Sequence, residues 1–149
     1  MALLIRDLVF SDLDELLALY HDLNPADDAL PPRPTIEETW RAILDDSTQI
    51  YVGGFIDGKL ASACNAAVIR NLTRGVRPYA VVENVVTATK YRRHGFGSAV
   101  LQALLERCRA RNCYKIMLLS GMNRADAHAF YVSNGFDSTA KQAFVISAR

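Results

Sequence analysis

Glu83-Asn84-Val85-Val86-Thr87-Ala88-Thr89-Lys90-Tyr91-Arg92-Arg93-His94-Gly95-Phe96-Gly97-Ser98 joins an apolar run to an amphipathic one. Upstream, Tyr79 to Thr87 is rich in β-branched residues and reads as a buried strand. Downstream, Phe96 to Asn112 places Val100, Leu101, Leu104, Leu105 and Cys108 on one face of a helix. Two glycines spaced by one residue therefore open a helix just after a strand. The first N–H groups of a helix have no intrahelical partner, and the helix dipole is positive at that end. Glycine lets the backbone come close to a phosphate, and Lys90, Arg92 and Arg93 add positive charge. The stretch has the physical form of a pyrophosphate cradle. It is not a dinucleotide fingerprint, because Val100 stands where the third glycine belongs, and it lacks the Gly-Lys-Ser/Thr of a Walker loop.

Outward from that junction, the pattern predicts a mixed α/β (α+β) chain. Leu3 to Val9 reads as a strand, followed by a helix capped by Ser11 with Asp14 at the capping-box position. Asn24 to Pro34 holds four of the five prolines and reads as a loop. Thr35-Ile36-Glu37-Glu38 reads as a capping box opening a second helix through Trp40. Ile50 to Ile56 and Lys59 to Ile69 form a hairpin about Asp57-Gly58. Asn71 to Pro78 is a loop, Tyr114 to Leu119 a strand, Ala125 to Ser133 a short helix, and Phe144 to Ser147 a closing strand. The order β-α-α-β-β-β-α-β-α-β gives a mixed sheet with helices on both faces, in one domain spanning residues 1–149.

Composition bounds the function. Half of the 149 residues are apolar and 22% are charged, as in a packed globular domain. No stretch approaches the roughly 20 apolar residues of a membrane span, and the N-terminal run turns acidic too soon for a secretory signal. The net charge of +1 hides an asymmetry. Before Gln49 there are eleven acidic and three basic residues, and the excess of positive charge lies behind. A basic back suits a polyanionic ligand. Cys64, Cys108 and Cys113 include no CxxC pair and read as reduced thiols of a cytoplasmic protein. Their spacing from His21, His94 and His128 suits no zinc site, so no metal is expected.

Arg92-x-x-Gly95-x-Gly97 resembles the acyl-coenzyme A loop of the GNAT N-acetyltransferases, Gln/Arg-x-x-Gly-x-Gly/Ala. Glu83-Asn84-Val85-Val86-Thr87 is similar to that family's central strand, and Ala129-Phe130-Tyr131-Val132-Ser133-Asn134-Gly135-Phe136 to its late signature. Cys113-Tyr114-Lys115-Ile116 resembles a strand of glucosamine-6-phosphate N-acetyltransferases. The family often has proline where Thr89 stands and glycine where Arg93 stands. The resemblance implies the GNAT acyl-CoA N-acyltransferase fold and acetyl transfer from acetyl-CoA, as acyl-donor co-substrate, to a primary amine by direct attack.

Under that resemblance, Arg92, Arg93, His94, Gly95, Phe96, Gly97 and Ser98 hold the pyrophosphate. Val85, Val86, Thr87 and Phe130 line the pantetheine arm, and Asn123 is a further coenzyme contact, though spaced differently from the family's asparagine. A backbone N–H at Val86 or Thr87 is expected to meet the oxyanion. Tyr131 is the expected proton donor to the leaving thiolate, and Glu83 the expected base, directly or through water. A packing role for Tyr131 and a structural ion pair for Glu83 are the competing readings. The cysteines read as packed apolar residues rather than nucleophiles.

Two acceptor classes stay open. The acidic early helices (Asp22, Asp27, Asp28, Glu37, Glu38) favour a cationic amine; Arg74 and Arg77, with Asn84, favour an anionic amino sugar or amino acid. A non-catalytic acyl-CoA sensor or regulatory module is the alternative function. A nucleic-acid surface built on Arg107, Arg109, Arg111 and Lys115 lacks interleaved aromatics and is set aside. The resemblance also allows a homodimer joined at the sheet edge near the C terminus.

Overall fold

The computed structural model describes all 149 residues. The chain runs β1 (Leu3–Asp7), α1 (Leu13–Leu23), α2 (Arg33–Asp45), β2 (Gln49–Ile56), β3 (Lys59–Ile69), a single turn α3 (Thr73–Val76), β4 (Tyr79–Thr87), α4 (Phe96–Ala110), β5 (Ile116–Leu118) and α5 (Ala125–Ser133). The strands lie in the order β1-β2-β3-β4-β5. The first four pair antiparallel, through hairpins and loops. β5 pairs parallel with β4, and a parallel pair needs a crossover, which α4 supplies.

The two faces of the sheet carry separate cores. On one, Val100, Leu101, Leu104, Leu105 and Cys108 of α4 pack on Val52, Cys64, Ala66 and Val82. On the other, Leu13, Leu16 and Leu19 of α1 and Trp40 of α2 pack on Phe55, Leu60, Ala63 and Val86. The small residues of β3 (Ala61, Ala63, Cys64, Ala66, each at most 2% exposed) let helices approach both faces closely. Arg33 joins the two front helices by pairing with Asp14 (2.5 Å) and Glu37 (3.0 Å).

Several local expectations change. The start of α1 is organised by Asp12, not Ser11: the Asp12 carboxylate accepts from the Val9 N–H (2.7 Å) and from both Arg6 guanidinium nitrogens (2.8 and 3.0 Å). α2 begins at Arg33, with Pro34 in its first turn, so Thr35 lies inside the helix rather than capping it. Proline is at home there, since the first helical N–H groups have no partner to lose. The closing strand at Phe144–Ser147 is absent. Residues 137–149 form an exposed arm without regular structure, because no strand of the same chain lies beside them to complete a ladder.

Two features of β4 shape the site. Asn65 pairs with Glu83 and Ala63 with Val86, so β4 carries one extra residue between them, a β-bulge with Asn84 at φ 52°. The parallel pairing with β5 ends at Val82–Leu118, yet β4 continues to Thr87. Beyond Val82 the sheet opens like a split seam. α5 closes the far side of that seam without burying any residue of its own. It is tethered to α4 where Asn134 Nδ2 donates to Ser98 Oγ (3.1 Å) and Gln102 Nε2 donates to Asn134 Oδ1 (3.2 Å).

Candidate active site

The seam opens into a cleft of about 430 Å³ lined by Val85, Val86 and Thr87 of β4, residues 91–93 and 95–98 of the loop and α4 start, and Phe130 and Tyr131 of α5. A strand's backbone groups point alternately to either side. The Ala88 N–H donates to Ala61 O (2.8 Å) on β3. By alternation Val86 also faces β3, and Thr87 and Val85 face the open seam. Of the two oxyanion donors expected from sequence, Thr87 is the one on the cleft side. Its carbonyl there accepts from Arg92 Nε (3.0 Å), which folds the basic loop back over the strand end.

The two glycines serve different ends. Gly95 caps α4 at φ 80°, a left-handed conformation that L side chains adopt at a cost, and a Cβ there would meet nothing within 4 Å. Gly97 is a matter of space: a Cβ would stand 2.8 Å from Thr87 Oγ1 and 3.6 Å from the Phe130 ring. The helix start is thus pressed against both walls of the cleft, with its N–H groups aimed outward. That is the cradle the sequence implies, and the residues present suit a phosphate-bearing ligand. Arg93 takes φ 63°, a conformation that glycine adopts without strain.

Tyr131 lines the cleft, and burial lifts its hydroxyl above the ordinary phenol pKa. The Arg124 charge opposes that rise, and Cys64 and Glu83 add to it, so Tyr131 and Glu83 are within electrostatic reach of one another. Glu83 is exposed and forms no ion pair, so the structural-pair reading of it fails. The sequence reading missed Leu23, Tyr91, Arg124, Asp126 and Ala127 as cleft lining. No motif marks them; the end of α1, the loop and the start of α5 bring them together only in the folded chain.

Other expected residues lie elsewhere. His94 stays outside the cleft, stacked on Phe96 with ring centroids 5.4 Å apart and its Nδ1 2.7 Å from Arg92 O. Asn123 is exposed in the turn before α5 and does not line the cleft, where its neighbour Arg124 stands instead. Arg74 and Arg77 hold their guanidinium carbons 5.5 and 5.8 Å from the Tyr114 ring, beyond the opposite end of β4 from Thr87. They do not line the cleft. Glu37 and Asp14 are engaged by Arg33, and Arg107 by Asp7 (2.7 Å). Burial pushes the Cys64 thiol up to about 12 and Cys108 up to about 11, so neither offers a thiolate near neutral pH. A second cavity of about 360 Å³ is bordered by Asp7, Ile43 and Arg107, and none of the residues expected to bind the coenzyme or to react lines it.

Comparison with known proteins agrees with this geometry. A putative acetyltransferase from Agrobacterium tumefaciens str. C58 superposes with a TM-score of 0.90 at 36% identity, over 97% of this chain and 99% of that one. Glucosamine 6-phosphate N-acetyltransferase 1 of Oryza sativa subsp. japonica is 28% identical over 140 residues, 89% of this chain and 79% of that protein. The glucosamine 6-phosphate N-acetyltransferase of Trypanosoma brucei brucei is 29% identical over 141 residues, 93% of this chain and 91% of that protein. The family model of the Acetyltransferase (GNAT) family matches residues 13–136, which include the split strand, the glycine-opened helix and Tyr131. By that match the chain belongs to the GNAT acetyltransferase family of enzymes.

Proposed function

We propose that this enzyme moves the acetyl group of acetyl-CoA to the primary amine of a small polar acceptor by direct attack. The observation that carries the reading is the open edge of β4 beside the N-terminus of α4, with Tyr131 facing it. The α4 N–H groups, Arg92 and Arg93 take the pyrophosphate, and the pantetheine arm follows β4 between Val85–Thr87 and Phe130 as an added strand does.

Three demands of the chemistry are then met by three groups. An alkylammonium has a pKa near ~10, so the amine must lose a proton before it attacks. Glu83, exposed on the acceptor side of the bulge, takes that proton through water. As the N–C bond forms, the Thr87 N–H receives the carbonyl oxygen's charge. As the C–S bond breaks, the Tyr131 hydroxyl donates to the sulfur. A phenol raised above its usual range is a weaker acid than a thiol of pKa ~8.5, so the hydroxyl shares its proton with the thiolate rather than surrendering it. The second proton of the nitrogen leaves through solvent as the amide forms and is matched by the proton the thiolate takes up, so that CoA departs as the thiol. An acyl-enzyme route finds no support in thiols with pKa values of about 11 and 12.

For the acceptor, the acidic and neutral groups exposed at the bulge (Glu83, Asn84) favour a hydroxylated amine such as an amino sugar. Its two glucosamine 6-phosphate relatives support that class. We infer a cytoplasmic enzyme, in keeping with three free thiols. A homodimer is supported by two unmet needs in one chain: β5 leaves its outer edge open, and Phe144, Val145 and Ile146 of the arm are 88%, 82% and 92% exposed.

The test is CoA release from acetyl-CoA over amines that contrast amino sugars and their phosphates with polyamines, aminoglycosides, lysine peptides and amino acids. Amine-dependent release is expected, strongest among amino sugars. Binding of acetyl-CoA with no acceleration by any amine overturns the enzyme reading in favour of an acyl-CoA-binding module.

A further inference from the structure

Asn84 stands out on β4. Its φ of 52° puts a non-glycine residue in the left-handed region in mid-strand. Such a conformation persists only where the surroundings over-determine it. Asparagine tolerates it better than most residues, but the extended form remains the lower one for an isolated strand.

The surroundings are on the α1 side of the sheet. Asn84 Nδ2 donates to Asn65 Oδ1 (3.3 Å), across the β3–β4 pair. The Asn84 side chain also faces the half-buried Tyr20 of α1. Asn65 is only 7% exposed, and its neighbours along β3 are alanine and cysteine. An amide among them costs desolvation that an apolar residue of similar size would avoid. The one hydrogen bond of its side chain is with the amide that makes the bulge.

The bulge in turn decides which way β4 presents its groups. Up to Val82 the strand alternates buried and half-buried positions; then Glu83 and Asn84 are exposed in succession before the alternation resumes at Val86. If Asn84 relaxed to the extended region, the extra residue would be absorbed and the following residues would change face, since side chains and backbone groups alternate with period two. Either Glu83 or the Val85–Thr87 backbone would then be misdirected.

We propose that Asn65 is a positioning residue for acetyl transfer, fixing through its bond to Asn84 the turn of β4 that aims Glu83 at the acceptor and the Thr87 N–H at the thioester carbonyl. This rests on the reading of the cleft as the acetyl-CoA site. Asn65 touches neither substrate in this role; it acts through Asn84.

The probe is acetyl-CoA labelled with ¹³C at the thioester carbonyl, with binding measured separately by calorimetry. In the wild type the bound carbonyl resonance moves downfield, because a hydrogen bond polarises it. Asn65→Leu is expected to bind acetyl-CoA with unchanged affinity and to lose at least half of that displacement. With any amine the wild type accepts, its kcat falls about 10²-fold, the scale of a misplacement near 1 Å, at unchanged KM for acetyl-CoA. Asn65→Asp, which keeps the accepting oxygen, restores the displacement. Asn84→Gly adopts the left-handed turn without the bond, so adding Asn65→Leu to it produces no further loss.

A wild-type displacement in Asn65→Leu, or losses that add in the double variant, overturns the proposal. If Asn65→Leu does not fold, Asn65→Ser withdraws the oxygen from Asn84 without a large apolar group and makes the same test. Absence of calorimetric binding by the wild type overturns the acetyl-CoA reading itself, a result distinct from a wild-type carbonyl shift that survives in the variant.

Discussion

Replacing Gly97 by alanine tests whether the cradle is set by space or by flexibility. The added Cβ would stand 2.8 Å from Thr87 Oγ1, closer than real Cβ atoms come, so one partner must yield. Thr87 Oγ1 is itself 2.8 Å from Ser62 Oγ, which also donates to Val86 O, so turning Thr87 breaks a largely buried pair. Overpacking costs about 1–3 kcal/mol, and a lost hydrogen bond about 1 kcal/mol. Alanine's helix propensity offsets up to about 1 kcal/mol of this. A net destabilisation of about 1–3 kcal/mol results, which for a chain of this size lowers Tm by about 2–12 °C. Ligand binding should suffer as well, because the methyl group fills the gap between Thr87 and Phe130: a 10- to 100-fold rise in the Kd of CoA, about 1.4–2.8 kcal/mol. Gly95 supplies the control. There a Cβ meets nothing, so Gly95→Ala costs about 1–2 kcal/mol of backbone strain, while Gly95→Asn, suited to positive φ, costs less. Calorimetric titration with CoA and thermal denaturation of the three variants decide the matter. If Gly95→Asn loses as much affinity as Gly97→Ala, the distinction between conformation and space is wrong.

Tyr131→Phe should lower kcat by about 10²-fold while leaving the Kd of acetyl-CoA near the wild-type value, as steady-state kinetics and calorimetry together will show. Asp12→Asn should cost about 2 kcal/mol at neutral pH, since it weakens hydrogen bonds to a charged group. Burial works to raise the Asp12 pKa, but the Arg6 and Val9 hydrogen bonds bring it below the usual value. That stability is therefore present above the unfolded pKa of ~3.9 and lost as pH falls through the lower folded value, so urea titrations should show the gap closing in acid. Arg93→Gly should relieve the strain of φ 63° and raise Tm, while the lost charge weakens CoA binding in low salt. Truncation after residue 136 should halve the mass seen by light scattering if the exposed arm joins two copies.

The path of the chain was legible where one residue type has one physical use. Gly95 and Gly97 at a strand–helix junction, and β-branched runs between turn residues, led directly to the split strand and the cradle. What the sequence concealed depended on partners far along the chain. Ser11 and Asp12 are both good caps, and only Arg6, six residues away, decides for Asp12. Phe144-Val145-Ile146 has the composition of a strand, but composition does not supply a neighbour. Arg74 and Arg77 lie near β4 in sequence, yet at its far end, because nine residues of strand carry the chain away from them. Asn65 sits in a run of small residues with no motif around it, and its meaning appears only when β3 is laid against the bulge.

α5 brings Tyr131 to the cleft while burying none of its own residues, and its polar tethers to α4 run through Asn134. Regions with little buried apolar contact open locally at a free energy well below that of global unfolding. The wall that bears Tyr131 is therefore the wall of the cleft most easily unlatched, and a ligand lying between it and β4 would act as a clasp. Occupancy of the cleft would slow amide exchange along residues 125–133 more than along α4, whose core face is already closed. Under the proposed mechanism turnover would have a built-in order. The acyl donor would assemble the site it reacts in, the amine would arrive at a completed pocket, and departure of CoA would let the latch fall open again.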